Sequence, residues 1–509
     1  MIKLRRISGV VLALAVAAFS FSGIRFKTSA REDTIVLKVC NWEEYIDEGD
    51  WEEPIDLDSG DIMGENPMTE DFEEWYYETY GKKVKVEYST FGTNEELYSQ
   101  LTLGDTFDLI CPSDYMIMKL MKEGMLVPLS ENFHKTTLEE NYYAKGVSPY
   151  IREVFENNEI DGEAWAKYAA GYMWGITGFV YNPEEVDEED VRTWDVLTNS
   201  DYFRKITTKD NVRDSYFPAL AALNKTKLVS ESFRNQPDYE KQLAAVMNDT
   251  DSNTIKEAEH WLKDVRNNVY SFETDSGKAD MVSGKVLINL QWSGDGVYAM
   301  DQAEEDDVYL NWCVPDECTD LWFDGWVMLK SGIDGDSEKQ HAAEAFINFL
   351  SRGDNVVRNM DYIGYTSVIS GGDDSRVYEY CQWNYSAEDE EEDTTEYAVG
   401  YFFSGNAGDE NYILTIPESQ AKRQISAQYP TVEQIERSAV MQYFNDEANK
   451  EINQMWINIR CFNFSQITAK QWRNAGIIIA LTAAAITLMA FGKKIFSKSA
   501  PKGYKLLDD

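Results

Sequence analysis

Hydrophobic and polar positions change period several times along the chain, and each change marks an element. Thr34 to Cys40 is a β-branched and apolar run that ends in Asn41-Trp42-Glu43-Glu44-Tyr45. It predicts a buried strand that delivers two large aromatics and two carboxylates at its C-terminal end. Gly49 to Met68, rich in acid, Gly and Pro, predicts a loop. Phe72, Trp75, Tyr76 and Tyr80 then fall at i, i+3, i+4 and i+8, with acids in the first turn and Gly81 placed to close a helix. Lys83 to Tyr88 alternates as a strand does. Thr93-x-x-Glu96 has the form of a capping box and opens a helix through Leu97 and Leu101 to Gly104. Phe107 to Cys111 predicts a third strand, which Pro112-Ser113-Asp114-Tyr115 breaks before a helix through Lys119 to Gly124. Strands and helices in alternation with short links predict a parallel, doubly wound lobe. Farther on, Ser337-x-x-Gln340 predicts the cap of an amphipathic helix whose Ala342, Ala345, Phe346 and Phe349 pack on a sheet.

The ends of the chain follow another pattern. Lys3-Leu4-Arg5-Arg6 precedes an apolar run from Ile7 to about Phe21, so residues 1–30 read as an export signal or, uncleaved, an N-terminal anchor. No cysteine follows that run closely, which argues against a lipid-modified N-terminus. Residues 475–492 are uncharged and almost wholly apolar up to Phe491, and predict a short transmembrane helix. The basic tail 493–509, with Lys493, Lys494, Lys498, Lys502 and Lys505, places that end in the cytoplasm and the long middle of the chain outside. Asn463 to Asn474 reads as a polar tether and Glu388 to Asp393 as a solvated acidic loop.

Composition narrows the class. With 509 residues the chain is long enough for two or more lobes, and 43% hydrophobic content supplies a sizeable core. A formal charge of −43 excludes a nucleic-acid binder, whose phosphates require Lys and Arg, and is compatible with cationic ligands. The six cysteines form no CxxC pair and the three histidines stand apart, so neither a metal site nor a cofactor is expected. Cys313 and Cys318 could close a small disulfide loop, and Cys40 and Cys111 end apolar runs that could be neighbouring strands. Free thiols fit equally well.

Several motifs occur in a fixed order: Asn41-Trp42-x-x-Tyr45; Tyr88-Ser89-Thr90 with Asn94-Glu95; Phe107-Asp108-Leu109 with Pro112-Ser113-x-Tyr115; and Lys122 to Leu126. Tyr172-Met173-Trp174-Gly175, Asp210 to Asp214, Gln291 to Gly294, Trp322-Phe323-Asp324, Ile363-Gly364-Tyr365 and Ala427 to Pro430 continue the series. In order and spacing, residues 34–460 resemble the spermidine/putrescine-binding proteins of bacterial ABC importers. The resemblance implies a two-lobed α/β fold of the periplasmic-binding-protein type (type II). Each lobe would be a mostly parallel sheet flanked by helices, here with a terminal transmembrane helix added. The chain would cross between lobes near Gly175–Gly178 and Leu321–Asp324. Residues 34–175 and 324–365 would make lobe 1, and 176–323 and 366–465 lobe 2.

The resemblance also implies a site for a linear polycation. Trp42, Tyr45, Tyr115, Trp292, Trp322 and Tyr365 would form an aromatic box, with Tyr115 and Tyr365 able to act through their hydroxyls. Asp324 would pair with one ammonium group, Asp214 with another, and Ser113 would add a hydroxyl. Rings and carboxylates suit an organic cation through cation–π contact and charge-assisted hydrogen bonds. Arg213 would orient Asp214, and Asp114 would add charge at the mouth. Asn211 stands where the family often has an acid, with Asp210 beside it, which leaves spermidine against putrescine open. Gln442 would make a polar contact. The implied function is not enzymatic: an extracellular receptor, tethered by its C-terminal helix, that hands a polyamine to an ABC permease driven by a separate ATPase. The rival is an extracellular carbohydrate-binding receptor or glycoside hydrolase, since Trp-lined clefts stack sugars and carboxylate pairs cleave them.

Overall fold

A computed structural model describes residues 34–274, 276–387, 393–461 and 473. The expected export signal, transmembrane helix and basic tail lie outside those residues, as do most of the tether and the acidic loop. Among the described residues no helix is long and apolar enough to cross a membrane. Residues 1–453 make one unit, which holds the whole sheet, and 454–509 a second.

The first strand, β1 (Ile35–Trp42), runs two residues past the apolar stretch that predicts it. Next, α1 (Met68–Tyr80) buries Met68, Phe72 and Tyr76 and ends at Gly81, whose φ of 67° lets its N–H reach the Tyr77 carbonyl. It leads to β2 (Val84–Phe91), which pairs with β1 in parallel over its whole length. Thr93 caps α2 (Asn94–Leu103) by accepting from the Glu96 N–H, but the Glu96 carboxylate takes the Gly92 N–H, so only half of the predicted box forms. A short β3 (Leu109–Ile110) pairs with the other edge of β1, and α3 (Asp114–Lys122) follows. These three strands pair in parallel, as the alternation predicts, while the next strand of the sheet joins β3 antiparallel, so the sheet is mixed and not mostly parallel.

Two long strands join this part to the rest. All thirteen residues of β4 (Ala169–Tyr181) are buried, as are all eleven of the later β8 (Thr319–Leu329). Between them come β5 (Ile206–Lys209), α4 (Val212–Leu223), β6 (Ser271–Glu273), β7 (Ile288–Trp292) and α5 (Ser293–Glu305). The spine of a twelve-stranded sheet runs β2-β1-β3-β8-β4-β7-β5-β6. Its flanks are parallel and its centre antiparallel.

The partner change along β4 is sharp. Ala169 to Ile176 face β8, and Thr177 to Tyr181 face β7. It falls inside the predicted crossing Gly175–Gly178. Both glycines are there because neighbours come too close for a side chain: a Cβ on Gly175 would lie 2.6 Å from the Trp322 ring, and one on Gly178 2.6 Å from Trp312. The β4–β8 register slips between Phe323 and Gly325, a bulge centred on Asp324. Bulges re-aim side chains, and this one turns the Asp324 carboxylate toward the ends of β1 and α3.

Two helices close the lobe. The amphipathic α6 (Ser337–Leu350) buries Ala342, Ala345, Phe346 and Phe349 as predicted, but its cap is Asp336, one residue earlier. The Asp336 carboxylate accepts from both the Glu338 and Lys339 N–H groups, and a carboxylate with two donors displaces the Ser337 hydroxyl. Then α7 (Gly353–Ile363) ends at Gly364 (φ 78°) and delivers Tyr365. All six cysteines are free thiols. Cys40 and Cys111 do lie on neighbouring strand ends, joined by the Cys111 N–H to the Cys40 carbonyl.

One cation ties the two ends of the Gly49–Met68 loop together. Buried Arg358 of α7 donates to Asp47 (2.7 Å), Asp71 (2.7 Å) and the Asn66 carbonyl (2.9 Å). Asp47 lies two residues after Tyr45 and is 1% exposed. Replacing Arg358 by Met strands a buried carboxylate, and the expected loss is about 3–5 kcal/mol of unfolding free energy. Urea denaturation checks this; a loss below about 1 kcal/mol would show that the loop is held by something else.

Candidate functional site

The carboxyl ends of β1, β3, β5 and β7 carry the side chains that the resemblance implies, where open α/β sheets place their ligands. At the β1 end the chain turns sharply through Glu44 (φ 53°). The Tyr45 carbonyl accepts from Asn41 Nδ2 (3.2 Å) and the Tyr172 hydroxyl (2.9 Å), which fixes the Tyr45 ring. Tyr45 then donates to Asp324 Oδ2 at 2.8 Å, and Ser113 Oγ donates to Asp324 Oδ1 at 2.7 Å. Asn94 organises the other side. Its Nδ2 lies 3.1 Å from both Ser113 Oγ and the Tyr115 hydroxyl, and its Oδ1 accepts from the Ser113 N–H. The Tyr115 hydroxyl donates to Glu95. Tyr365 meets Tyr45 edge-on at 5.0 Å and Trp322 at 5.7 Å.

Asp324 is therefore a buried carboxyl satisfied by neutral hydroxyls. Burial pushes its pKa up to about 6; the two hydroxyls hold it down and the nearby Asp214 charge pushes it up. The second acid comes from the first turn of α4. Asn211 caps that helix, its Oδ1 accepting from the Arg213 N–H (2.8 Å) and the Asp214 N–H (3.4 Å). Trp292 Nε1 donates to Asp214 at 3.1 Å. Burial raises the Asp214 pKa to about 6 as well, against the Trp292 hydrogen bond and the Lys209 charge.

Tyr45, Ser113, Tyr115, Trp322, Asp324 and Tyr365 thus form one connected group, and Asp214 with Trp292 a second. They meet through Arg213, whose guanidinium lies 4.4 Å over the Tyr115 ring and 3.8 Å over Phe444, and which donates to the Gln442 carbonyl. Arg213 thus bridges α4 to Tyr115 in addition to neighbouring Asp214. Gln442 offers its main chain to that bridge while its side chain is exposed, and the Asn211 oxygen is committed to capping. Trp42 packs on Phe91 at 4.6 Å with its indole N–H buried and unpartnered. Asp114 does not sit at the mouth. It is 1% exposed and accepts the Tyr115 and Phe323 N–H groups, bracing α3 against β8.

The pattern along the chain missed three contributors. Asn94 appeared only within a motif, because an amide at the start of a helix has no distinctive period. Asp295 stands in the first turn of α5 and Lys209 is the last residue of β5, positions that carry no ligand signal of their own. For Lys209 the available signal was the residue type, a lysine ending a buried strand. The Asp295 pKa is lowered overall, since Lys209, Lys278 and the Tyr365 hydroxyl outweigh the upward push of burial. Two buried acids with raised pKa values, ringed by aromatic faces, can take up an organic cation.

The family described as bacterial extracellular solute-binding protein matches residues 68–379. The spermidine/putrescine-binding periplasmic protein of Escherichia coli (strain K12) is 26% identical over 338 residues, 66% of this chain and 78% of that one. A putrescine-binding periplasmic protein of the same organism is 26% identical over 301 residues, 56% of this chain and 71% of that one. The crystal structure of a spermidine/putrescine ABC transporter substrate-binding protein from Streptococcus pneumoniae superposes with a TM-score of 0.53 at 22% identity, covering 84% of this chain and 99% of that one. A lipoprotein of Treponema pallidum gives 0.54 at 16% identity, with the same coverage. At these identities the two structures establish the two-lobed fold.

Asn94→Ala removes three contacts and leaves the Ser113 N–H unpaired. The expected cost is about 2–3 kcal/mol of stability. Thermal unfolding of the variant against Asn94→Asp, which keeps the acceptor, checks the assignment: equal losses in both would show that the oxygen does not hold Ser113.

Proposed function

We propose, from the premise that the chain belongs to the bacterial extracellular solute-binding protein family, that it captures a polyamine of the spermidine/putrescine kind between two lobes and delivers it to an ABC permease. The observation that carries this reading is the pair of buried acids, Asp324 and Asp214, set in the field of one another and walled by Tyr45, Tyr115, Trp292, Trp322 and Tyr365. A buried carboxylate without a countercharge is costly, and an ammonium group offsets that cost while its methylenes lie on the rings. Each cation–π contact contributes roughly 0.5–2 kcal/mol, and micromolar affinity needs about 8 kcal/mol net, so several rings and both acids act together. Ser113 serves as the hydroxyl that fixes Asp324, Asn211 as the cap that fixes Asp214, and Trp42 as a wall with an indole N–H to offer. Gln442 contributes through its carbonyl to Arg213.

Lobe 1 is assigned residues 34–175 and 324–365, and lobe 2 residues 176–323 and 366–465. The partner change in β4 and the bulge in β8 lie at those boundaries, which suits a hinge of two strands. A ligand that touches Asp324 from one lobe and Asp214 from the other selects the closed state. The relatives are named as binding proteins, which supports a non-enzymatic reading. The charged and apolar patterns at both ends support tethering to the outer face of a cell membrane.

Calorimetric titration of the full-length protein with spermidine, putrescine and a neutral disaccharide tests the proposal. Heat with the amines alone is expected; heat with the sugar alone overturns it. Asp324→Asn keeps the shape and removes the charge, and is expected to weaken amine binding by about 3 kcal/mol, roughly a hundredfold.

The dependence on pH follows from the two raised acids. Both are about half protonated near pH 6 in the unliganded protein, and an ammonium group pairs with the ionised form. Affinity is therefore level above about pH 7 and falls as the pH drops through 6, with protons released on binding near pH 6. Titrations in buffers of different ionisation heat measure that release. Proton uptake, or affinity that rises toward acid pH, would contradict the assignment.

A further inference from the structure

The family reading leaves one group in the cleft without a role. Lys209 ends β5 at the rim where Asp210 and Asn211 turn the chain into α4, and its side chain is 1% exposed. Its Nζ lies 3.9 Å from the centroid of the Trp292 ring. It donates to the Thr274 carbonyl (3.1 Å) and to Asp295 Oδ2 (3.3 Å). A ring face, a carboxylate and a carbonyl are what a ligand ammonium group needs in a dry cleft. Here the chain supplies the ammonium itself.

The position is within the site. Trp292, whose face receives Lys209, donates its Nε1 to Asp214, so both the face and the edge of this indole are engaged by the chain's own groups. Asp295 receives the Tyr365 hydroxyl, and Tyr365 lies against Tyr45, which holds Asp324. Lys209 therefore occupies the lobe 2 end of a continuous row of rings and acids. By contrast, the Trp42 and Trp322 indole N–H groups are buried without a partner.

We propose that Lys209 is a built-in terminal cation that shortens the polyamine site, so that the cleft prefers an unbranched diamine over a triamine. The inference rests on the polyamine reading and sharpens it. With Lys209 in place, the acids left on the row of rings are Asp324, which has only neutral donors, and Asp214, whose charge Lys209 partly meets; buried Asp320 beside them lies in the field of Arg213. Two acids suit two ammonium groups. A third ammonium would have to share the Trp292 face with Lys209, at the cost of like-charge repulsion in a desolvated setting. Lys278 also pairs with Asp295, at 3.3 Å, so Asp295 keeps a cation when Lys209 is replaced. The fold is thus expected to tolerate the change.

Titrating the full-length protein and its Lys209→Ala and Lys209→Met variants with putrescine and spermidine tests this. In the parent, putrescine is expected to bind at least about tenfold more tightly than spermidine. Lys209→Ala removes both volume and charge and should bring the ratio down by about tenfold or more, chiefly through tighter spermidine binding. Lys209→Met keeps the volume and removes the charge. A shift there too assigns the preference to charge, and a shift with Ala alone assigns it to space; either supports the proposal. Spermidine binding as tightly as putrescine to the parent, or a ratio unmoved in both variants, overturns it while leaving the polyamine reading intact. No heat with either amine in any of the three proteins overturns both.

Discussion

The structure turns on the cost of keeping carboxylates away from water. Asp324 and Asp214 are 6% and 9% exposed, and burial raises both pKa values. A lone ionised carboxylate in such a place is costly enough to neutralise or rearrange its surroundings. The site holds these groups near the balance point with neutral donors: two hydroxyls at Asp324 and one indole N–H at Asp214. Such donors satisfy lone pairs without cancelling the charge. What remains, at Asp324 above all, is negative potential in a ring-lined setting.

The sheet is what allows this arrangement. The two parallel flanks run in opposite senses, so the ends of β1 and β3 and those of β5 and β7 meet near the crossover of the two antiparallel strands that run through both halves. Their full burial demands small and apolar residues, and Gly175 and Gly178 let Trp322 and Trp312 lie directly on β4. The bulge at Asp324 is the local irregularity that this regular sheet needs. In an unbroken ladder the side-chain direction would be set by pairing alone. The extra residue frees the carboxylate to reach Ser113 and Tyr45, which come from elements far away in the chain.

Much of the fold was legible in the chain because period and punctuation agree. Phe72 and Tyr76 face the core at helical spacing, Gly81 and Gly104 stop their helices in the left-handed region, and the alternation of elements gives the parallel strands β1, β2 and β3. The misses have physical causes. The Ser337 cap lost to the neighbouring Asp336, a better acceptor, and Glu96 found Gly92 in place of Thr93. Several rings and acids of the site were readable through the resemblance, since type and order survive where overall identity is low. Position alone could not show what each polar atom does. Asn211 and Asp114 carry the right chemistry for a ligand but satisfy backbone N–H groups first, because an unpaired N–H inside a protein is itself costly. Asn94 and Lys209 carry no periodic signature, and only the folded geometry brings them to the cleft.

The two ends of the cleft solve one desolvation problem in opposite ways, and the difference decides what can fill it. At Asp324 the chain supplies hydroxyls, so one full negative charge is left for a ligand. At Asp295 it supplies Lys209 and Lys278, and the acid is held in its ionised form by charges that never leave. Asp214 stands between, bonded to a neutral N–H yet within the field of Lys209 and Arg213. Potential therefore falls from the lobe 1 end to the lobe 2 end of the same row of rings. A ligand is measured against that gradient before it is measured against any single contact. Counting rings alone would assign every aromatic to the ligand; counting uncompensated carboxylates assigns Trp292 to the chain's own lysine and the remaining rings to a shorter guest.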